Sequence, residues 1–205
     1  EVEHFAYRIE FQIRGMPHVH GVFWLRKDIM EKYMVDEEYD DKEITKLIDK
    51  WISCSLDTGN DDLNKLVSEV NVHNHTNSCQ RGTLHCRFNF PKLPSDETLI
   101  ASPLPTDLSD EERDKILSES KAILAVVKEN LDINNLTDED IDKKYNNDLK
   151  SFLKDLGIDY EAYKKAIRIS ERGKMVVLKR TLKERNVNNY NKEWMLAWRA
   201  NLDIQ

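Results

Sequence analysis

The chain has 205 residues, enough for one sizeable core or a core plus a subdomain. Hydrophobic content of 40% and charged content of 34% fit a soluble globular protein, and no apolar run approaches the roughly 20 residues that span a bilayer. Three cysteines, an odd number, argue against a disulfide framework and for a reducing, intracellular setting.

The net charge of −7 looks wrong for a nucleic-acid partner, but it is unevenly spread. Between Asp107 and Glu161 there are 16 acidic and 8 basic residues, whereas Lys164 to Arg185 carries nine basic against two acidic. A local basic face is what a phosphate backbone needs; a merely solvated surface is the plainer reading of the same run. No basic leader with an apolar core opens Glu1-Val2-Glu3-His4. The start reads as the inside of a strand, so a piece of a larger protein is expected.

Tyr7, Ile9, Phe11 and Ile13 alternate with Arg8, Glu10, Gln12 and Arg14, the period of a strand with one buried face. Gly15 and Pro17 mark a turn, and Val22, Phe23 and Trp24 are β-formers, so the segment reads as a hairpin. His18 and His20 then share one face, about 6.6 Å apart along the strand. A register pairing Gln12 with His18 puts Glu10 opposite His20, where either polar side chain can supply a third ligand. Two imidazoles plus a carboxylate or amide leave positions open for a phosphate, which suits Mg²⁺ or Mn²⁺. The plain alternative is a solvated polar face.

Ile44, Leu47, Ile48, Trp51 and Ile52 recur at helical spacing, Thr58-Gly59-Asn60 breaks that helix, and Leu63, Leu66 and Val67 suggest another. Next, His73, His75, Cys79 and Cys86 place four donors within 14 residues, able to wrap a tetrahedral Zn²⁺, with His85 as a substitute. Four protein ligands leave no open position, so this zinc reads as structural. Cys54 reads as a small buried residue. Pro91, Pro94, Pro103 and Pro105 make a linker, and Ser109 with Glu112 forms a capping box. Helical stripes follow through Ile116, Ile123, Val127 and Leu131, then Leu149 to Leu156 ended by Gly157, then Tyr160, Tyr163 and Ile167. This acidic region holds no ligand or nucleophile constellation and reads as an all-helical insertion. Met175 to Leu178 reads as a strand, and Asn191 as the N-cap of a short helix presenting Met195 and Trp198 before a last strand.

Three ordered segments carry a resemblance: Glu10-Phe11-Gln12-Ile13-Arg14-Gly15-Met16-Pro17-His18-Val19-His20; His73 to Cys79 with Cys86-Arg87-Phe88-Asn89-Phe90-Pro91; and Asn186 to Gln205. They resemble the N-terminal domain of Helitron transposases, a rolling-circle (Rep-type) HUH endonuclease. The resemblance implies an α+β fold: an antiparallel-sheet, ferredoxin-like HUH core with a zinc-binding loop and an all-helical insertion. The expected divisions are 1–106 (core with metal hairpin and zinc loop), 107–170 (insertion) and 171–205 (remainder of the core). In that core the helix after the hairpin packs under the sheet, and Phe88 and Phe90 dock the zinc loop.

The implied activity is single-stranded DNA nicking and joining in DNA transposition. Mg²⁺ or Mn²⁺ is held by His18, His20 and Glu10, or Gln12 in its place, and a tyrosine is the nucleophile. The family's tyrosines lie on a helix after the third segment; Tyr145, Tyr160, Tyr163 and Tyr190 do not occupy that place. The expectation is therefore a chain that binds metal and single-stranded DNA while its nucleophile lies beyond Gln205. Arg8, Arg14, Lys174, Lys179 and Arg180 are the candidate DNA contacts. A helicase domain in the same polypeptide, a nuclear location and no membrane association are also implied. Two competing readings stand beside this one: a zinc-stabilised, catalytically inactive nucleic-acid-binding module, and an unrelated metal-dependent hydrolase with Glu10 as base.

Overall fold

The computed structural model describes residues 2–11, 17–35, 38–76, 79, 86–132 and 136–204. It is a mixed α+β chain whose described strands form three two-stranded antiparallel sheets. Two compact units divide after residue 44.

In residues 1–44, β1 (Val2–Phe11) pairs with β2 (Pro17–Leu25) as the alternation requires. The register is displaced by two residues from the expected one: Glu10 faces His18, Arg8 faces His20 and Phe11 faces Pro17. A two-residue slip preserves the face of every side chain, so Glu10, His18 and His20 still project together. Phe5, Tyr7, Ile9 and Phe11 share the opposite face, and Phe5 stacks on both Tyr7 and Phe23. That face, marked by the sequence for burial, is open to solvent; Phe11 is 75% exposed. Two strands alone provide no second layer to cover it. A short helix α1 (Lys27–Met30) and the pair β3 (Met34–Val35) and β4 (Glu38–Tyr39) follow.

The unit boundary falls inside α2 (Asp41–Trp51), whose apolar spacing is the one read from Ile44 to Ile52. Its apolar face joins a cluster: Ile48 and Ile52 pack against Cys54, Leu63, Leu66, Val67, Leu178, Val187, Tyr190 and Met195. α3 (Asp61–Leu66) starts where Asn60 accepts the Leu63 N–H and runs on into a wider π-turn over Val67–Asn71.

The expected capping box forms: Ser109 accepts the Glu112 N–H and opens α4 (Asp110–Asn130). α5 (Asp138–Asp140), α6 (Leu149–Asp155) and α7 (Tyr160–Ile167) start at Thr137, Asp148 and Asp159, each accepting a backbone N–H of the first turn. Gly157, at φ +70°, takes the left-handed step that ends α6, a conformation that strains any residue with a Cβ.

These helices are not an appended body. Val127, Leu131, Ile141, Phe152, Leu153, Tyr163 and Ile167 share one core with Leu99 and Ala101 of β5 (Leu99–Ala101) and with Leu182. β5 pairs with β6 (Met175–Val177). The expected boundaries at 106 and 170 therefore cut through a continuous hydrophobic cluster. Helical stripes show that a face is buried but not against what.

The last segment is a polar knot. Tyr190 is fully buried and its hydroxyl donates to Ser55 O at 2.6 Å, while Asn191 donates to Trp51 O and caps α8 (Lys192–Trp198). Arg185, also buried, donates to the carbonyls of Leu131, Leu136 and Leu182 and to Asp138. The expected final strand is absent among the described residues: 199–204 is irregular, held by Ile204 N–H to Asn189 O and Leu202 N–H to Asn71 Oδ1.

Candidate metal centre

His73 leaves the π-turn of α3 through an anchored backbone: Val72 bridges Val187, and the His73 N–H donates to Asn186 O at 2.7 Å. The chain then closes on itself. Cys79 N–H reaches Thr76 O, Thr76 N–H points at Cys79 Sγ, and Arg87 N–H donates to Cys79 O at 2.9 Å. Asn89, at φ +62°, turns the chain so that Phe90 lies flat on His73, centroids 4.4 Å apart, with Phe90 itself buried.

This folding brings the ligating atoms of His73, His75, Cys79 and Cys86 within 4.8 Å of one another. Cys79 Sγ stands 3.6 Å from His75 Nδ1, and Cys86 Sγ 3.3 Å from His73 Nε2. Donors at 2.0–2.3 Å from a tetrahedral Zn²⁺ are about 3.3–3.8 Å apart along each edge, so these two edges already have the required length. Among the described residues His75 Nε2 is buried without a hydrogen-bond partner, a cost a cation on that nitrogen removes, so His75 offers two candidate nitrogens. Burial, then the neighbouring His75 and Lys92, push the His73 pKa down and favour the neutral imidazole a metal needs. The donor set therefore fits a closed structural zinc site. The substitute ligand His85 lies outside the described residues.

Cys54 stands apart, buried, its thiol donating to Lys179 O, with burial pushing its pKa up to about 11. It is the inert small core residue expected from its place after α2.

On the hairpin, Glu10 Oε1 lies 3.0 Å from His20 Nε2 and His18 stands directly across from Glu10. Both members of the Glu10–His20 pair are partly exposed. These side chains share a face but, unlike the His/Cys set, are not drawn into a tight donor group among the described residues. Gln12 and Arg14 lie outside the described residues. Arg8 faces His20 on the same side.

Of the other expected DNA contacts, Lys174 and Lys179 are exposed. Arg180 is a correction: it is 4% exposed and its guanidinium donates to Glu184 O, Val187 O and Asn189 Oδ1. A side chain consumed by buried carbonyls is not free to meet a phosphate. Phe90 is buried against His73, while Phe88 meets the His73 ring edge-on, centroids 5.7 Å apart, and remains 48% exposed. The sequence reading missed Lys128, which crosses from α4 to bond Asn89 Oδ1. No local pattern joins residues 39 apart.

Comparison of the chain with protein-family models, with curated proteins and with solved structures finds no match.

Proposed function

We propose that this chain is the metal-bearing part of a Rep-type HUH endonuclease of the Helitron kind, acting on single-stranded DNA in rolling-circle transposition, with a ferredoxin-like core to which β1 and β2 contribute. The observation that carries the reading is the hairpin face on which Glu10, His18 and His20 project together, with Glu10 and His20 already 3.0 Å apart. His18, His20 and Glu10 would hold Mg²⁺ or Mn²⁺, Gln12 being the alternate to Glu10. A bound divalent ion supplies charge stabilisation to the phosphate under attack. The residues themselves orient one another: the Glu10 carboxylate fixes the His20 ring through Nε2, and Arg8 across from His20 sets a positive charge beside the phosphate path.

The nucleophile would be a tyrosine outside residues 1–205. The hydroxyls of Tyr145, Tyr160, Tyr163 and Tyr190 are engaged within the fold. Tyr190 and Tyr163 are buried, with hydroxyls donating to Ser55 O and Pro94 O, and Tyr145 and Tyr160 donate to Asp155 and Asp96. The test is Mn²⁺ titration followed by electron paramagnetic resonance. The reading requires a bound signal that His20→Ala and Glu10→Gln each abolish, and binding unchanged in both variants would sink it.

A second reading has its own support. The His73/His75/Cys79/Cys86 set is tighter than the hairpin set, as expected of a zinc-stabilised nucleic-acid-binding module without catalysis. Zinc binding together with absent Mn²⁺ binding favours it.

A further inference from the structure

The metal loop carries a surface its zinc does not explain. Phe88 projects into solvent at 48% exposure, and the Arg87 guanidinium lies over its ring, 4.5 Å from the centroid. Lys92 Nζ reaches Phe88 O at 3.1 Å and stands over the Phe90 ring, and Lys128 Nζ bonds Asn89 Oδ1. Arg87 thus stands over the exposed ring, while Lys92 and Lys128 hold the main chain and the neighbouring Asn89 beside it.

The chain as a whole is acidic, and many of its lysines and arginines stand within 4 Å of a carboxylate, as in Lys144–Asp155, Arg168–Glu97, Lys183–Asp142 and Arg199–Asp62. Among the described residues, no carboxylate lies within ion-pair distance of Arg87, Lys92 or Lys128. An exposed ring flanked by cations is how single strands are held irrespective of sequence.

We propose that Arg87, Phe88, Lys92 and Lys128 form a docking surface for single-stranded DNA, a base stacking on Phe88 while phosphates lie against Arg87 and the two lysines. The inference rests on the nucleic-acid reading above and adds to it a place on the chain. Lys174 and Lys179 are then secondary contacts.

The test is fluorescence anisotropy of a labelled oligo-dT with the whole chain at several salt concentrations. Phe88→Ala weakens binding about tenfold, Phe88→Tyr keeps it, and Lys128→Gln lowers the salt slope by about one. The Tyr variant separates loss of the ring from loss of the fold. If the wild-type chain binds and Phe88→Ala and Arg87→Gln bind equally well, the docking surface is refuted and the nucleic-acid reading survives. If the wild-type chain does not bind, both fall.

Discussion

Removing zinc from the His73/His75/Cys79/Cys86 site lowers the melting temperature of the whole chain, because the loop is tied to the core. Its ties are the His73 N–H to Asn186 O, the Lys92 N–H to Arg185 O and the buried Phe90 ring stacked on His73. The donors are gathered within 4.8 Å in the fold, and an unfolded chain does not hold that geometry, so the ion binds the native state in preference. At free zinc a thousandfold above its dissociation constant, such linkage contributes about 4 kcal/mol. For a chain of this size each kcal/mol moves the melting temperature by about 2–4 °C, so chelation lowers it by roughly 8–16 °C. The assay is thermal melting of zinc-loaded and chelator-dialysed protein, with metal content by elemental analysis. One zinc per chain, lost together with the stability in Cys86→Ser and Cys79→Ser, is expected. Identical melting curves with no retained zinc refute the site.

Tyr190→Phe removes the donor to Ser55 O without changing the packed ring, and destabilises by about 1–3 kcal/mol in urea melts; a smaller loss than 0.5 kcal/mol means that carbonyl finds water instead. Arg185→Met leaves the carbonyls of Leu131, Leu136 and Leu182 without their buried donor, and costs more than about 3 kcal/mol by the same melts. Burial raises the Cys54 pKa to about 11 from 9.0, so the unfolded thiol loses its proton first as pH rises. Its contribution to stability is present below pH 9 and lost between 9 and 11. Cys54→Ala flattens that part of the stability profile, and an unchanged slope counts against the assignment.

Local signals were legible where one residue decides the structure. Ser109 with Glu112, Asn191 and Gly157 each do in the fold what their chemistry implies. The ligand spacing from His73 to Cys86 was equally readable, because four soft donors in a short loop have few ways to fold. Long-range facts were not. Nothing in the acidic region announces that Val127 and Tyr163 share a core with Leu99, or that Lys128 reaches Asn89. The basic run from Lys164 to Arg185 mixes exposed Lys174 and Lys179 with buried Arg180 and Arg185, since charge alone does not say which cations are consumed by carbonyls. The hairpin shows both limits: period fixed the faces, while register depended on a turn whose geometry the residue types leave open.

The central claim is that Glu10, His18 and His20 serve phosphoryl transfer on DNA. Its most direct measurement uses a chain continued past Gln205, incubated with Mn²⁺ and a labelled single-stranded oligonucleotide, then denatured. The account predicts a covalent protein–DNA adduct that His18→Ala and His20→Ala each abolish while zinc content stays the same. No adduct from the parent chain with zinc bound, or an adduct that persists in both histidine variants, contradicts it.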